Sequence, residues 1–300
     1  MKQPRIYVVT GANAGLGLGT VTELAKSPDI HIIAAIRNFD RATALRKAVP
    51  KNQLTLMKVD VSDLTSVRTF CHELIKTLGQ RQITGLCLNA GLQFHSGDKR
   101  SPDGFELTFA TNHLGHFLMY ETLKPHLAPA ARVVTIGSGT QNPNVTGATR
   151  FGFRDGVYTS AAALAKAAPD ETQTPEQQGR DAYAASKFAN VMWAKAMAHQ
   201  NTPFTFLSID PGAMPGTGLA RDNTLFMRLI WHSVLRLAYP LINGSTPQKS
   251  GKLLARLLTD HPAPSGSNVH FTGGVGSAHP MTDDKDLQAE LIATSRTLTS

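Results

Sequence analysis

Only two cysteines occur in the 300 residues, Cys71 and Cys87. Two thiols cannot build a disulfide framework. Both fall in segments that read as buried, so they are expected as small core residues of a protein in a reducing, cytoplasmic compartment. Long hydrophobic runs are also missing, and none reaches the ~18–20 residues a membrane span needs. The opening "MKQPRIYVVTGANAGLG" turns into glycine after a short apolar run, which is not the pattern of a signal peptide. Acidic residues are in the minority, 22 against 30 Lys and Arg, for a formal charge of +8. The basic residues are scattered, with no stripe dense enough to hold a nucleic acid. An excess of positive charge does suit a polyphosphate ligand. Neither repeats at solenoid periods nor low-complexity tracts occur, and an apolar content of 41% is that of a globular chain rather than a disordered one.

What is present is alternation. Near-continuous apolar runs at 5–10, 31–36, 54–59, 83–89, 132–136 and 204–209 read as strands buried on both faces, which points to a parallel sheet. Helix-length amphipathic segments at 16–27, 40–48, 63–78, 104–126, 183–200 and 247–259 separate or follow them. Strand–helix alternation with right-handed crossovers gives a doubly wound α/β fold, expected here as one domain over 1–300. Two stretches break the rhythm. Residues 139–180, rich in Gly, Pro, Thr, Asn and Gln, form a connection too long to be ordinary. Residues 213–242 include an apolar stretch punctuated by Arg228, His232 and Arg236. It reads as a lid over a substrate cleft, with a surface helix dipping into a membrane through 219–242 as the competing reading and a plain packing helix as the third.

Between the first strand and the first helix lies Thr10-Gly11-Ala12-Asn13-Ala14-Gly15-Leu16-Gly17. The three glycines permit a tight turn, close approach of backbone to a pyrophosphate and close helix–sheet packing. A helix N-terminus at this point favours an anion. The second strand ends in Ala35-Ile36-Arg37-Asn38, with arginine where an NAD-selective site carries an acid. This implies NADP(H), with Arg37 on the 2′-phosphate and Arg41 as a second contact; a solvated arginine is the bland alternative. Asp60, before Val61, could accept from the adenine amino group or cap the next helix. Ser62 or Asp63 could serve as that cap, which would leave Asp60 to the adenine. Asn89-Ala90-Gly91 supplies small residues beside a ribose.

In "DAYAASKFAN", Tyr183 and Lys187 stand one helical turn apart. Such a pair arises often by chance, and Ser138 at the end of the preceding strand is what makes it a candidate proton donor with a neighbouring cation. The ordered set of the glycine turn, Asn89-Ala90-Gly91, Asn112, Ser138, Tyr183-x-x-Ser186-Lys187 and Pro211-Gly212 resembles the short-chain dehydrogenase/reductase family over nearly the whole chain. "GFELTFATNHLGHFLM", "GSGT" and the ending "LQAELIATSRTLTS" look most like its retinol dehydrogenase and protochlorophyllide reductase branch.

The resemblance implies a Rossmann-type, mostly parallel sheet of about seven strands. It also implies Tyr183 as general acid or base, Lys187 as the cation that lowers its pKa and contacts the nicotinamide ribose, and Ser138 as donor to the substrate oxygen. Asn112 would hold a relay water. Thr140 would be a second donor, Pro211 and Gly212 would turn beside the nicotinamide, and Ala213, Met214 and Thr217 are weaker contacts. His113 and His116 lack the carboxylate or cysteine that would complete a metal site, so core or interface histidines are expected. The expected activity is NADPH-dependent hydride transfer to the carbonyl of a fairly large apolar substrate, or the reverse alcohol oxidation. Reduction of a carbon–carbon double bond is the alternative, although the insertion has no cysteine. A non-catalytic NADPH sensor or scaffold is the third reading. The family often dimerises through the helices bearing Asn112 and Tyr183, and a monomer or a homodimer is expected.

Overall fold

A computed structural model describes residues 3–168, 170–200, 203–214 and 244–300. Seven strands form one sheet: β1 (Arg5–Thr10), β2 (Ile30–Ile36), β3 (Leu54–Lys58), β4 (Ile83–Leu88), β5 (Leu127–Ile136), β6 (Thr205–Asp210) and β7 (Asn268–His270). Their spatial order is β3-β2-β1-β4-β5-β6-β7, and every neighbouring pair is parallel. The continuous apolar runs have the reason anticipated for them, since side chains alternate into two cores. Ile6 and Val8 enter one, Tyr7 and Val9 the other.

Helices α1 (Gly15–Leu24) and α2 (Thr43–Ala48) lie on the second core. Helix α3 (Leu64–Leu78) lies on the first. Next comes α4, in which Leu107–Phe109, a π-helical stretch Ala110–Leu114 and Gly115–Leu123 run on continuously. Helices α5 (Ala161–Lys166), α6 (Pro175–Ala198) and α8 (Lys285–Leu298) join the first core, and α7 (Pro247–Thr259) joins the second. Strand order reverses direction about β1, so a crevice opens at the carboxyl ends of β1 and β4. Open α/β sheets bind their ligands in such crevices.

Several boundaries differ from those expected. Strand β5 starts at Leu127 instead of 132, and the extra residues are absorbed by a register shift between Ile83 and Gly85 and a left-handed turn at Ala130 (φ 61°). Helix α6 starts at Pro175 instead of 183. Thr174 caps it by accepting the N–H of Gln177, and proline is favourable at the first position. Tyr183 is therefore held two turns inside a helix and not at its frayed end.

The 139–180 segment carries helical turns of its own at Gly139–Gln141, Pro143–Thr146 and Ala148–Phe151, followed by α5. Helix α8 had no expected counterpart; Leu291 and Ile292 bury it against the first core. Apart from Ala213 and Met214, the expected lid, including Thr217, lies outside the described residues. Among the described residues, no helix is long and apolar enough to cross a membrane.

Candidate active site

The crevice begins with the glycine turn. Gly11 takes φ +65°, which a side chain would strain, and its Cα faces Ala90 across the gap between β1 and β4. A Cβ on Gly17 would stand 2.4 Å from the carbonyl of Gly11, so only glycine lets α1 start this close to the strand. Thr10 locks the two strand tips together. Its Oγ1 accepts the N–H groups of Asn89 and Ala90, both at 2.8 Å, while Asn89 Nδ2 donates to the Thr10 carbonyl.

Helix α1 is the exception among the helices of ten residues or more in the described residues. Asp63, Thr174, Thr246 and Asp284 cap α3, α6, α7 and α8 with their side chains, whereas Ala14 offers no cap to α1 and no acid occupies its first turn. Its leading N–H groups thus remain for an anion, and this fits the pyrophosphate of a dinucleotide. At the neighbouring strand tips, Arg37 is largely exposed and only loosely paired with Asp60, at 3.6 Å.

The second half of the crevice is built from α4, α6 and the ends of β5 and β6. Tyr183 is buried, with the half-buried Ser138 beside it. Lys187, also buried, places Nζ over the Tyr183 ring, 5.4 Å from its centroid, and donates to the carbonyl of Ile136 at 3.2 Å. Beneath them runs a connected polar network. Asn190 Nδ2 donates to the carbonyls of Ile136 and Asn112, each at 3.0 Å. Because both amide hydrogens are used, Asn190 Oδ1 must accept, so His113 donates to it through Nδ1 and receives from Ser295 at Nε2. His116 lies between the Asn112 carbonyl and the Thr10 hydroxyl. The carbonyl can only accept, which puts its proton on Nδ1 as well.

Burial governs the protonation of this half. It pushes Lys187 down to about 7, and it pushes Tyr183 up, opposed by the neighbouring Ser138 hydroxyl. It also lowers His113 to about 4 and His116 to about 3, so both are neutral. Thr140 Oγ1 is buried without a hydrogen-bond partner, two residues beyond Ser138, and is thus an unmatched donor at the mouth of the site. The ring of Phe153, from the insertion, stands 6.3 Å from that of Tyr183.

The model of a family described as short chain dehydrogenase matches residues 5–152. Over 287 residues, 90% of this chain and 70% of its relative, the sequence is 31% identical to a chloroplastic protochlorophyllide reductase of Daucus carota. The chain belongs to the short-chain dehydrogenase/reductase family. Among solved structures, an uncharacterised protein from Mycobacterium paratuberculosis superposes with a TM-score of 0.70 at 25% identity, covering 99% of this chain and 94% of that one. The NADPH-bound carbonyl reductase from chicken fatty liver shares the fold, with a TM-score of 0.61 at 19% identity over 92% and 100% of the two chains.

In this short-chain dehydrogenase/reductase, Ser138, Tyr183 and Lys187 lie together, Asn112 and Lys187 both approach Gly91, and Asn89 reaches the turn at Gly11 and Gly17. Lys187 Nζ lies over the Tyr183 ring, and burial pushes Tyr183 up. Asp60 Oδ1 accepts both the N–H and the hydroxyl of Ser62, while Oδ2 lies 3.6 Å from Arg37 and keeps the capacity to accept from a ligand. Asp63 caps α3, as foreseen.

The side chain of Asn112 is largely committed. Oδ1 accepts from Leu92 N–H, and Nδ2 donates to the Leu92 carbonyl and to Ser186 Oγ. One lone pair of Oδ1 remains, and both that oxygen and Lys187 Nζ face Gly91. Val61 is buried, with its carbonyl packed against Gly115 so closely that a Cβ there would stand 1.9 Å from it. His113 and His116 are core residues, and no cluster of metal-ligating side chains exists among the described residues. Asn190 and Thr10 were missed. Asn190, one turn beyond Lys187 on the same face, carried the signal that could have found it.

Proposed function

We propose that this chain is an NADPH-dependent reductase that transfers hydride to the carbonyl carbon of a fairly large, apolar substrate. The observation carrying this reading is the placement of Tyr183 beside Ser138, with Lys187 Nζ over the Tyr183 ring, at the carboxyl end of the sheet. The uncapped start of α1 would receive the pyrophosphate, Arg37 the 2′-phosphate, and Lys187 the nicotinamide ribose. NADPH supplies the hydride when bound. Ser138 donates to the substrate oxygen and fixes it, and Tyr183 gives that oxygen a proton as negative charge develops. A tyrosine held protonated by burial serves this donation without first being ionised. Phe153 supplies an apolar wall beside the reacting carbon, and Thr140 a second donor.

The relatives support a second reading, reduction of a carbon–carbon double bond, with Tyr183 protonating carbon. Both cysteines of the chain are buried in the core, with Cys71 pushed up to about 12 by burial and Cys87 also pushed up. No thiol is available to such a reaction. A screen of NADPH consumption over ketones, aldehydes and enones, with product identification, separates the readings. An alcohol product supports the first, a saturated bond the second, and no turnover with any of them would leave a cofactor-binding scaffold.

The reading extends to assembly. Helix α8 already covers the outer side of α4 and α6, with Ser295 on His113 and Arg296 on Glu121. The helices through which the family pairs are occupied within the chain, so a monomer is expected in sedimentation experiments.

A further inference from the structure

Between Ser138 and Tyr183 the chain makes an excursion that the mechanism above uses only as a wall. Of residues 151–156 in that insertion, Phe153 alone is not exposed. Its ring lies beside that of Tyr183, with the centroids 6.3 Å apart and the planes tilted by 50°. The residues next to it are tied down by polar contacts. Gly152 takes φ +80°, and its carbonyl accepts from Gln177 Nε2 of α6 at 3.1 Å. Arg154 pairs with Asp181, also on α6, and donates to Gln173 Oε1 at 2.7 Å. Asp155 accepts from Asn144 at 2.7 Å and lies 3.1 Å from His279 Nε2. Asp181 stands two residues before Tyr183 on the same helix, so the Arg154 ion pair sets Phe153 against the proton donor directly.

We propose that Phe153 is a specificity-determining residue that presents a fixed aromatic face to the substrate, and that the substrate class is ketones bearing a flat, conjugated ring system on the carbonyl carbon. The position of the oxygen rests on the reductase reading, whereas the contact between Phe153 and a ligand's ring does not. An oxygen within reach of Ser138 and Tyr183 leaves the substituents of its carbon beside the Tyr183 ring, where Phe153 offers an apolar surface. A ring already held in place loses no rotational freedom when a ligand packs on it, so the cost of ordering a side chain is avoided. Aromatic pairs in offset or edge-to-face arrangement also gain beyond the area they bury, which an equally large saturated ring does not. The flanking ties are therefore part of the recognition. Without them Phe153 would sit in an exposed turn, bordered by Gly152 and Gly156, with nothing to keep it at the site.

The test uses a matched pair of ketones, acetylnaphthalene and its saturated counterpart acetyldecalin, which share the acetyl group and differ in the flatness of the ring system. The ratio of their kcat/KM values with NADPH is measured for the full-length protein, and their dissociation constants by calorimetry in the presence of the oxidised cofactor. In Phe153→Leu, which keeps an apolar side chain and removes the aromatic face, the advantage of the aromatic ketone should shrink roughly 3-fold to 10-fold in both quantities. Phe153→Tyr, which keeps the face, should retain it. Arg154→Ala, which releases the tie to Asp181, should lose part of it, and carries the test should the leucine variant fail to fold. A folded Phe153→Leu or Arg154→Ala protein with the wild-type preference overturns the proposal. If the dissociation constants shift as expected while neither ketone is reduced, Phe153 keeps its role in recognition and the reductase reading fails instead.

Discussion

The two halves of the crevice solve recognition by opposite means. The cofactor half, at the tips of β1, β2 and β3, offers backbone N–H groups at an uncapped helix start and an exposed arginine, whose ion pair with Asp60 is long and open to water. Such a pair is worth little by itself, so Arg37 can exchange it for a phosphate at small cost. In the catalytic half, at α4, α6 and the ends of β5 and β6, most polar side chains are buried, and among the described residues only Thr108 Oγ1, Thr140 Oγ1 and Trp193 Nε1 are buried there without a hydrogen-bond partner. Both histidines and the lysine are driven toward their neutral forms. One half waits for its ligand to complete it. The other is completed in advance, and it holds protons where chemistry needs them.

The sharpest break between the halves should come from Tyr183→Phe. Turnover is expected to fall by about 10²–10⁴-fold, the usual contribution of a general acid, with NADPH affinity retained. Steady-state rates together with cofactor fluorescence titration measure the two quantities separately.

Acid should strike the catalytic half next. His113 and His116 bind protons near pH 4 and 3 in the folded protein but near 6.5 when unfolded. The unfolded state therefore binds more protons between those limits, and stability must fall as pH drops below 6.5. The slope approaches about 1.4 kcal/mol per pH unit for each histidine, readable from denaturation midpoints. Lys187 acts in the same sense higher up: in the cofactor-free protein its contribution rises with pH between about 7 and 10.5.

Arg37→Ala tests the exposed half. It should raise the NADPH dissociation constant about 10–100-fold, leave NADH binding unchanged, and spare the rate at saturating cofactor. Equal losses for the two cofactors would remove the phosphate from the account. The smallest effect is expected from Thr174→Ala, which uncaps α6 two turns before Tyr183 and should cost about 1 kcal/mol in a thermal melt, with turnover per folded molecule unchanged.

The exposed half was the more legible in sequence, because its devices are local. The Gly11–Gly17 turn follows a strand directly and Arg37 ends one, so position along the chain gives position in space. In the buried half, Ser138, Tyr183 and Lys187 could be read as an ordered set, but the network that holds them could not. His113 meets Ser295 across 182 residues, and Thr10 meets His116 across 106. Asn190 looks ordinary until α4, β5 and α6 converge on it. The start of α6 was misplaced although Thr174-Pro175 announces it. The three residues of β7 are too few to form any pattern.

Sequence alone determined the alternation of strands and helices, the parallel sheet and the glycine turn, since each depends on periodicity or on spacing within one element, and the family resemblance singled out Tyr183 as the candidate proton donor. Only the tertiary structure decided the charge states. Whether a tyrosine, a lysine or a histidine holds its proton depends on the water removed around it and on which carbonyls and carboxylates replace that water, and those groups come from distant parts of the chain.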